Sequence, residues 1–123
     1  FYQLFLLYLH ITNLNYTMRK KRKDRNHIIY KLTNEVTNET YIGVTVVTGR
    51  AYLKSLRSRW IRHIYKATKC LAEYPISESI RNYGEESFHR EIIEIVRGKS
   101  NAFEREAELI NEYRPSLNTR MQQ

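Results

Sequence analysis

Two short β-branched runs joined by a stretch rich in Asn and Thr constrain this chain more than any other feature. His27 to Asn34 alternates as a strand does, with Ile28, Tyr30 and Leu32 on one face. Glu39 to Val47 is the second run, and Asn34 to Asn38 supplies the turn formers. The pair predicts a hairpin. With the turn centred on residues 35 and 36, Tyr30 lies opposite Tyr41. Directly paired side chains have Cβ atoms about 5 Å apart, so the hairpin would set two phenols side by side.

The remaining pattern supplies cover for these strands. From Tyr52 to Leu71, the positions Leu53, Leu56, Trp60, Ile64, Ala67 and Leu71 recur at three- and four-residue spacing and form one helical stripe. Pro75 opens a short helix and Gly84 closes it, with Ile76, Ile80 and Tyr83 as its apolar set. Ser87 to Arg97 reads as a third strand of imperfect alternation, broken by Gly98. Ser100 is the expected N-cap of a last helix that runs to about Tyr113, and Pro115 ends it. The order β-β-α-α-β-α implies an α/β (α+β) fold, a small three-stranded antiparallel sheet flanked by helices.

The 123 residues suit one domain, and 41% hydrophobic residues suffice for one core. A mean hydropathy of -0.63 argues against a membrane protein. The net charge of +8 suits a polyanionic partner, because Lys and Arg release counterions from phosphates. Residues 19–25 carry six cations and one acid, +5 of that total, and read as a solvated tail. The single Cys70 permits neither an internal disulfide nor a multi-cysteine zinc site, and an intracellular setting is expected. The apolar opening, residues 1–17, is too short and too interrupted to span a bilayer and lacks the marks of a signal peptide. Met18 reads as a start. The expected division is an N-terminal extension and basic tail at 1–25, a folded domain at 26–119 and a tail at 120–123.

Within this frame, one acid is out of place. On the wheel of the last helix, Ala102, Phe103, Ala107, Leu109, Ile110 and Tyr113 share one half, and Glu106 sits near its centre. A carboxylate there loses hydration and needs a partner. A structural ion pair with an arginine answers that need, and so does a metal ligand or a catalytic carboxylate in a pocket. The first long helix has a basic stripe, Arg59, Arg62, His63 and Lys66, and no acid occurs from Val44 to Ala72. A solvated face is the usual reading of such charges. The missing acids point instead to phosphate.

Together these positions resemble the GIY-YIG endonuclease family. Ile28-Ile29-Tyr30 stands for its first motif and Tyr41-Ile42-Gly43 for its second, with ten residues between the tyrosines. Arg59 in Ser58-Arg59-Trp60-Ile61-Arg62-His63 matches the family's helix arginine, as in homing-type members. Glu106 matches its metal-binding glutamate, and Asn118 in Pro115-Ser116-Leu117-Asn118 its C-terminal asparagine. Asn82-Tyr83-Gly84 looks like the turn of phage and mobile-intron members. Ile28 departs from the family's glycine, and the segment between Gly43 and Arg59 is longer than in compact members. Helical phase favours Arg59 over Arg57 as the match.

The resemblance implies a metal-dependent endonuclease acting on double-stranded DNA, with no small-molecule cofactor and no membrane. Glu106 would bind one Mg²⁺ or another divalent cation such as Mn²⁺, and Arg59 would stabilise the transition state. Tyr30 would take a proton from the attacking water, its pKa lowered by nearby cations. Tyr41 would orient water or phosphate, His63 could shuttle a proton and Asn118 would brace the site. Lys54, Arg57, Arg62 and Lys66 would contact the DNA backbone. The rival readings are a non-catalytic basic nucleic-acid-binding module and a structural protein in which Glu106 is ion-paired.

Overall fold

The strand-like runs do form a hairpin, in a computed structural model that describes residues 24–118. The expectations for residues 1–23, most of the basic run among them, and for 119–123 lie outside the described residues. β1 (Asn26–Asn34) and β2 (Thr40–Val46) are antiparallel, and β3 (Phe88–Arg97) pairs with the other side of β1. The sheet order is therefore β2-β1-β3. Helix α1 (Tyr52–Thr68), helix α2 (Pro75–Tyr83), a 3₁₀ turn (Glu85–Ser87) and helix α3 (Lys99–Tyr113) complete the chain in the expected order.

The middle strand explains the layering. Ile28, Tyr30 and Leu32 are buried on one face and pack with Leu56, Trp60, Ala67, Ile76, Ile80 and Phe88. Ile29 is buried on the other, against Ile42 and Leu109. α1 and α2 thus cover one face and α3 the other, which is why β1 reads as a nearly continuous apolar run. Arg81 of α2 ties the two helices of its layer together by donating to the carbonyls of Ala67 and Ala72 at 2.9 and 2.7 Å, where helix-end carbonyls lack partners.

Several sequence expectations shift. Tyr30 pairs with Gly43 and Leu32 with Tyr41, so the two tyrosines are not directly opposed. The turn is wider than a symmetric one about residues 35 and 36 because buried Asn34 organises it. Its Oδ1 accepts from Val36 N at 2.9 Å, its Nδ2 donates to Ser79 Oγ at 2.9 Å, and Asn38 takes a left-handed φ of 63°. The imperfect alternation of β3 is a bulge: Ile29 faces Glu94 and Tyr30 faces Ile92, so Ile93 is left over and the phase inverts. Leu53 and Leu71 do not belong to the buried stripe of α1, which is Leu56, Trp60, His63 and Ala67. Leu53 faces outward in the first turn, and Leu71 lies past the helix with φ 50°. Tyr83, in the apolar set of α2, is exposed. Gly98 rather than Ser100 precedes the first turn of α3; its φ is 91°, and its carbonyl accepts from Ala102 N at 2.9 Å.

Asn34 should therefore anchor the hairpin to α2. Asn34→Ala removes the bonds to Val36 and Ser79, and a loss of about 2 kcal/mol in urea unfolding is expected. An unchanged urea midpoint would show that the turn holds its register without the side chain.

Candidate active site

The wider turn brings the phenols together by a route other than direct pairing. Tyr30 and Tyr41 are diagonal neighbours on one face of the sheet, with ring centroids 6.1 Å apart. Tyr30 lies across Gly43. A Cβ at that glycine would stand 2.6 Å from Cζ and Oη of Tyr30 and 2.8 Å from Cε1 of Tyr41. The missing side chain at Gly43 is thus the space that the Tyr30 ring occupies.

At the end of that ring, two residues of α1 meet the hydroxyl. Arg59 Nε donates to Tyr30 Oη at 3.3 Å, and Tyr30 Oη is 2.9 Å from His63 Nε2. With the guanidinium donating, the phenol is left to donate its own proton to an unprotonated Nε2. His63 is buried, and burial, followed by the charges of Arg59, Lys66 and Arg62, pushes its pKa down to about 4. It is a neutral acceptor inside the core, not a member of an exposed basic stripe. The Tyr30 phenol is raised above its ordinary value by burial and by Tyr41, and Arg59 only partly opposes this. The expected lowering by cations does not occur, because desolvation of a nearly closed site outweighs one guanidinium. Burial raises Tyr41 as well, against the pull of Arg59. Burial tends to discharge Arg59, but the two phenols and Glu106 outweigh it and keep the group protonated.

Glu106 approaches from α3, on the other face of the sheet. It lines a cleft of about 820 Å³ together with Tyr41 and Arg59. The cleft is bordered by Tyr41 and Thr45 from one face of β2 and by Val44 and Val46 from the other, so it wraps the outer edge of that strand. Glu106 is half-buried, and burial raises its pKa while Arg59 works to lower it. Among the described residues, no hydrogen bond or ion pair reaches its carboxylate. The adjacent Arg105 is taken by Glu94 at 2.9 Å and Glu108 at 3.1 Å. The wheel placed Phe103, Ala107 and Tyr113 on the buried half with Glu106, but all three are exposed, and only Ala102 and Leu109 are fully buried. α3 rests on the sheet by a narrow stripe, so its flank is left open to the cleft.

This donor set fits one kind of cation. Among the described residues, no three His, Cys, Asp or Glu side chains cluster. A closed zinc site is therefore not built here. One desolvated carboxylate without a hydrogen-bond partner suits a hydrated Mg²⁺ or Mn²⁺, which keeps most of its waters and completes its shell with substrate oxygens.

The other candidates fall into two groups. Asn118 does not enter the cleft. Its Oδ1 accepts from Ile42 N at 2.9 Å and its Nδ2 donates to Ile42 O at 2.8 Å, pairing with the edge of β2 between Tyr41 and Gly43. Lys54 and Arg62 line a second cavity of about 300 Å³ that shares Arg59 with the first. Lys66 is exposed beside them on the helix. Arg57 lies about 160° round the helix from Arg59 and is not brought to the same surface. Sequence reasoning missed Arg25, His27, Lys99 and Phe103 as walls of the larger cleft. The four-residue spacing of Lys99 and Phe103 was the available signal.

The model of the GIY-YIG catalytic domain matches residues 26–121. Among solved structures, a point mutant of the catalytic domain of the intron endonuclease I-TevI resembles this chain with a TM-score of 0.60 and 23% identity, a likeness of fold. The match covers 78% of this chain and 92% of that one. No curated protein matches.

Two consequences of this geometry are measurable. A carboxylate whose folded pKa is raised costs the fold stability wherever it is ionised, so Glu106→Gln should raise the urea midpoint at pH 7 without added metal. For His63 the sign is opposite. The unfolded chain takes up a proton between pH 6.5 and about 4 that the folded chain refuses. Its contribution is full above pH 6.5 and falls by roughly 3 kcal/mol as the pH drops to about 4. Wild type should thus lose more stability than His63→Gln between pH 7 and 4.5, and equal losses would contradict a neutral His63.

Proposed function

The chain belongs to the GIY-YIG family of catalytic domains, and on that premise we propose that it is a metal-dependent endonuclease that hydrolyses phosphodiester bonds of double-stranded DNA. The observation that carries this reading is that Tyr41 from β2, Arg59 from α1 and Glu106 from α3 line one cleft, with the buried Tyr30 of β1 bonded to Arg59 and packed beside Tyr41. Four elements converge on a site whose residue types suit phosphoryl chemistry. The activity is assigned to residues 26–119, and a phage or mobile-element role is supported by the Ser58 to His63 segment. Such an enzyme would act inside the cell, where DNA is. No described helix is long and apolar enough to cross a membrane.

In this mechanism Glu106 would hold a divalent ion, Mg²⁺ or Mn²⁺. Bound there, the ion supplies positive charge against the scissile phosphate and the departing 3′ oxygen. Arg59 places its planar, always-charged fork on the phosphate oxygens as negative charge builds. Tyr30 need not be ionised in advance. Buried and bonded to Arg59 in the free chain, its oxygen would take the proton of the attacking water once substrate draws the guanidinium onto the phosphate, as its own proton passes to His63 Nε2, 2.9 Å away. An arriving phosphate raises the proton affinity of this pair by adding negative charge beside it. Tyr41 orients the water or the phosphate. Asn118 acts indirectly, by holding the backbone between Tyr41 and Gly43. Lys54, Arg62 and Lys66 position the DNA backbone without reading its sequence.

Supercoiled plasmid incubated with the protein and Mg²⁺ should be nicked or linearised, and EDTA or Glu106→Ala should abolish this. Cleavage that survives both would remove the metal role of Glu106. Tyr30→Phe should lower the rate by about 10²- to 10⁴-fold while DNA affinity changes little. Salt-sensitive binding without any cleavage by wild type would leave only a nucleic-acid-binding module.

A further inference from the structure

Only part of the larger cleft is used by the mechanism above. Tyr41, Arg59 and Glu106 are three of the residues that line it. About 820 Å³ is a volume typical of whole-ligand pockets, far more than one phosphate and a hydrated ion require. The rest runs between β2 and the start of α3, walled by Arg25, Lys99 and Phe103. Glu106 is its only acid among the described residues. Neither Arg25 nor Lys99 has an ion-pair partner among them. Phe103 is 47% exposed on a helix that has an apolar sheet to pack on, and Lys99 Nζ stands 5.9 Å from its ring centre. Lys99 lies over the ring as a cation–π partner, and a half-exposed aromatic ring next to cations that no acid neutralises is the chemistry that takes an unstacked nucleobase and its phosphates once the lysine swings to them.

The second cavity, which shares Thr45, Val46 and Arg59 with the first, differs in kind. Its walls are Lys54, Arg62 and the hydroxyls of Thr48, Ser55 and Ser58, with no aromatic ring. Arg59 borders both cavities, so a strand whose scissile phosphate sits on Arg59 has one flank in each.

We infer that the cleft beyond Glu106 is a nucleotide subsite, in which one base flanking the scissile bond leaves the duplex stack to lie on Phe103 while Arg25 and Lys99 hold the adjoining phosphates. The cavity lined by Lys54 and Arg62 takes the other flank through its phosphates alone. This rests on the nuclease reading and adds to it a base-dependent contact on one side of the cut only. Unstacking costs free energy that the ring must return, so the site favours cuts next to steps that open readily.

The test separates the two claims. Cleavage of plasmid by wild type in Mg²⁺ is first confirmed and the cut mapped; no cleavage overturns the nuclease reading and the subsite with it. Duplex oligonucleotides of the mapped site are then made with an abasic residue at single positions on either flank. Binding to wild type and to Phe103→Ala is compared. Wild type should bind intact duplex about tenfold more tightly than Phe103→Ala, that advantage should vanish when the base at one position on one flank is removed and persist at every other position, and Phe103→Trp should behave as wild type. Lys54→Gln and Arg62→Gln should each lower the salt slope by about one, with no dependence on which base is removed. If wild type cuts but Phe103→Ala binds equally well, or both proteins lose equally at every abasic position, the subsite is overturned and the nuclease reading stands.

Discussion

The hydroxyl of Tyr30 is the point on which this structure turns. It belongs to the middle strand of the sheet, it is 1% exposed, and it is held between a charged donor and a neutral acceptor from one helix. A phenol can be buried so deeply only if its oxygen is satisfied. Arg59 and His63 satisfy it, and in doing so they fix the rotation of α1 over the sheet. That rotation aims Arg59 at the edge of β2 and turns Arg57 away from it. Core packing and the placement of chemistry are thus the same constraint. A change that frees the hydroxyl disturbs both.

The edge of β2 is the second element of the design. An unpaired edge is a hazard because its N–H and C=O groups invite another strand. Here part of the edge is occupied from within the chain. Leu117 N donates to Thr40 O at 2.9 Å, and the Asn118 amide closes on both backbone groups of Ile42. Beyond Ile42 the edge runs into the two cavities. The same strand therefore presents its backbone to the C-terminal segment at one end and borders a substrate-sized cleft at the other. The cleft can collect groups from both sheet faces because it lies at an edge. Residues of α1 and of α3, on opposite faces of the sheet, line the same cleft there.

How far these features were legible in the sequence follows from their range. Element order was readable because each element carries its own period and its own stops, such as Pro75, Gly84 and Gly98. Glu106 stood out on a helix wheel, although Phe103, Ala107 and Tyr113 of the half assigned to it are exposed and the carboxylate is only half-buried. Register was not, because it depends on Asn34, whose side chain bonds forward to Val36 and across to Ser79 in a helix 45 residues later. The phase slip at Ile93 likewise arises from pairing with β1 and leaves only a blurred alternation. His63 was read with the basic residues beside it, although the helix turns it toward the core. The role of Gly43 is invisible without the ring that fills its empty side. The local period reveals what each residue does to its own element; it does not reveal what a distant ring or amide requires of it.

The energetic tension at the site has a consistent direction. Glu106 is held where its charge is disfavoured, and Arg59 is half-buried with its charge retained by a hydrogen bond to Tyr30, by Tyr41 and by a carboxylate that makes no direct ion pair with it. A fold selected for stability alone would close these groups into a direct ion pair or replace them with apolar side chains. Keeping them in separate walls of an open cleft leaves each with unused capacity: a carboxylate free to accept a cation and a guanidinium with donors to spare. Under the proposed mechanism, an anionic phosphate arriving with a divalent ion would satisfy both at once. On that proposal the substrate would complete interactions that the isolated chain leaves unfinished, and the groups assigned to the chemistry come from elements whose positions the core has already determined.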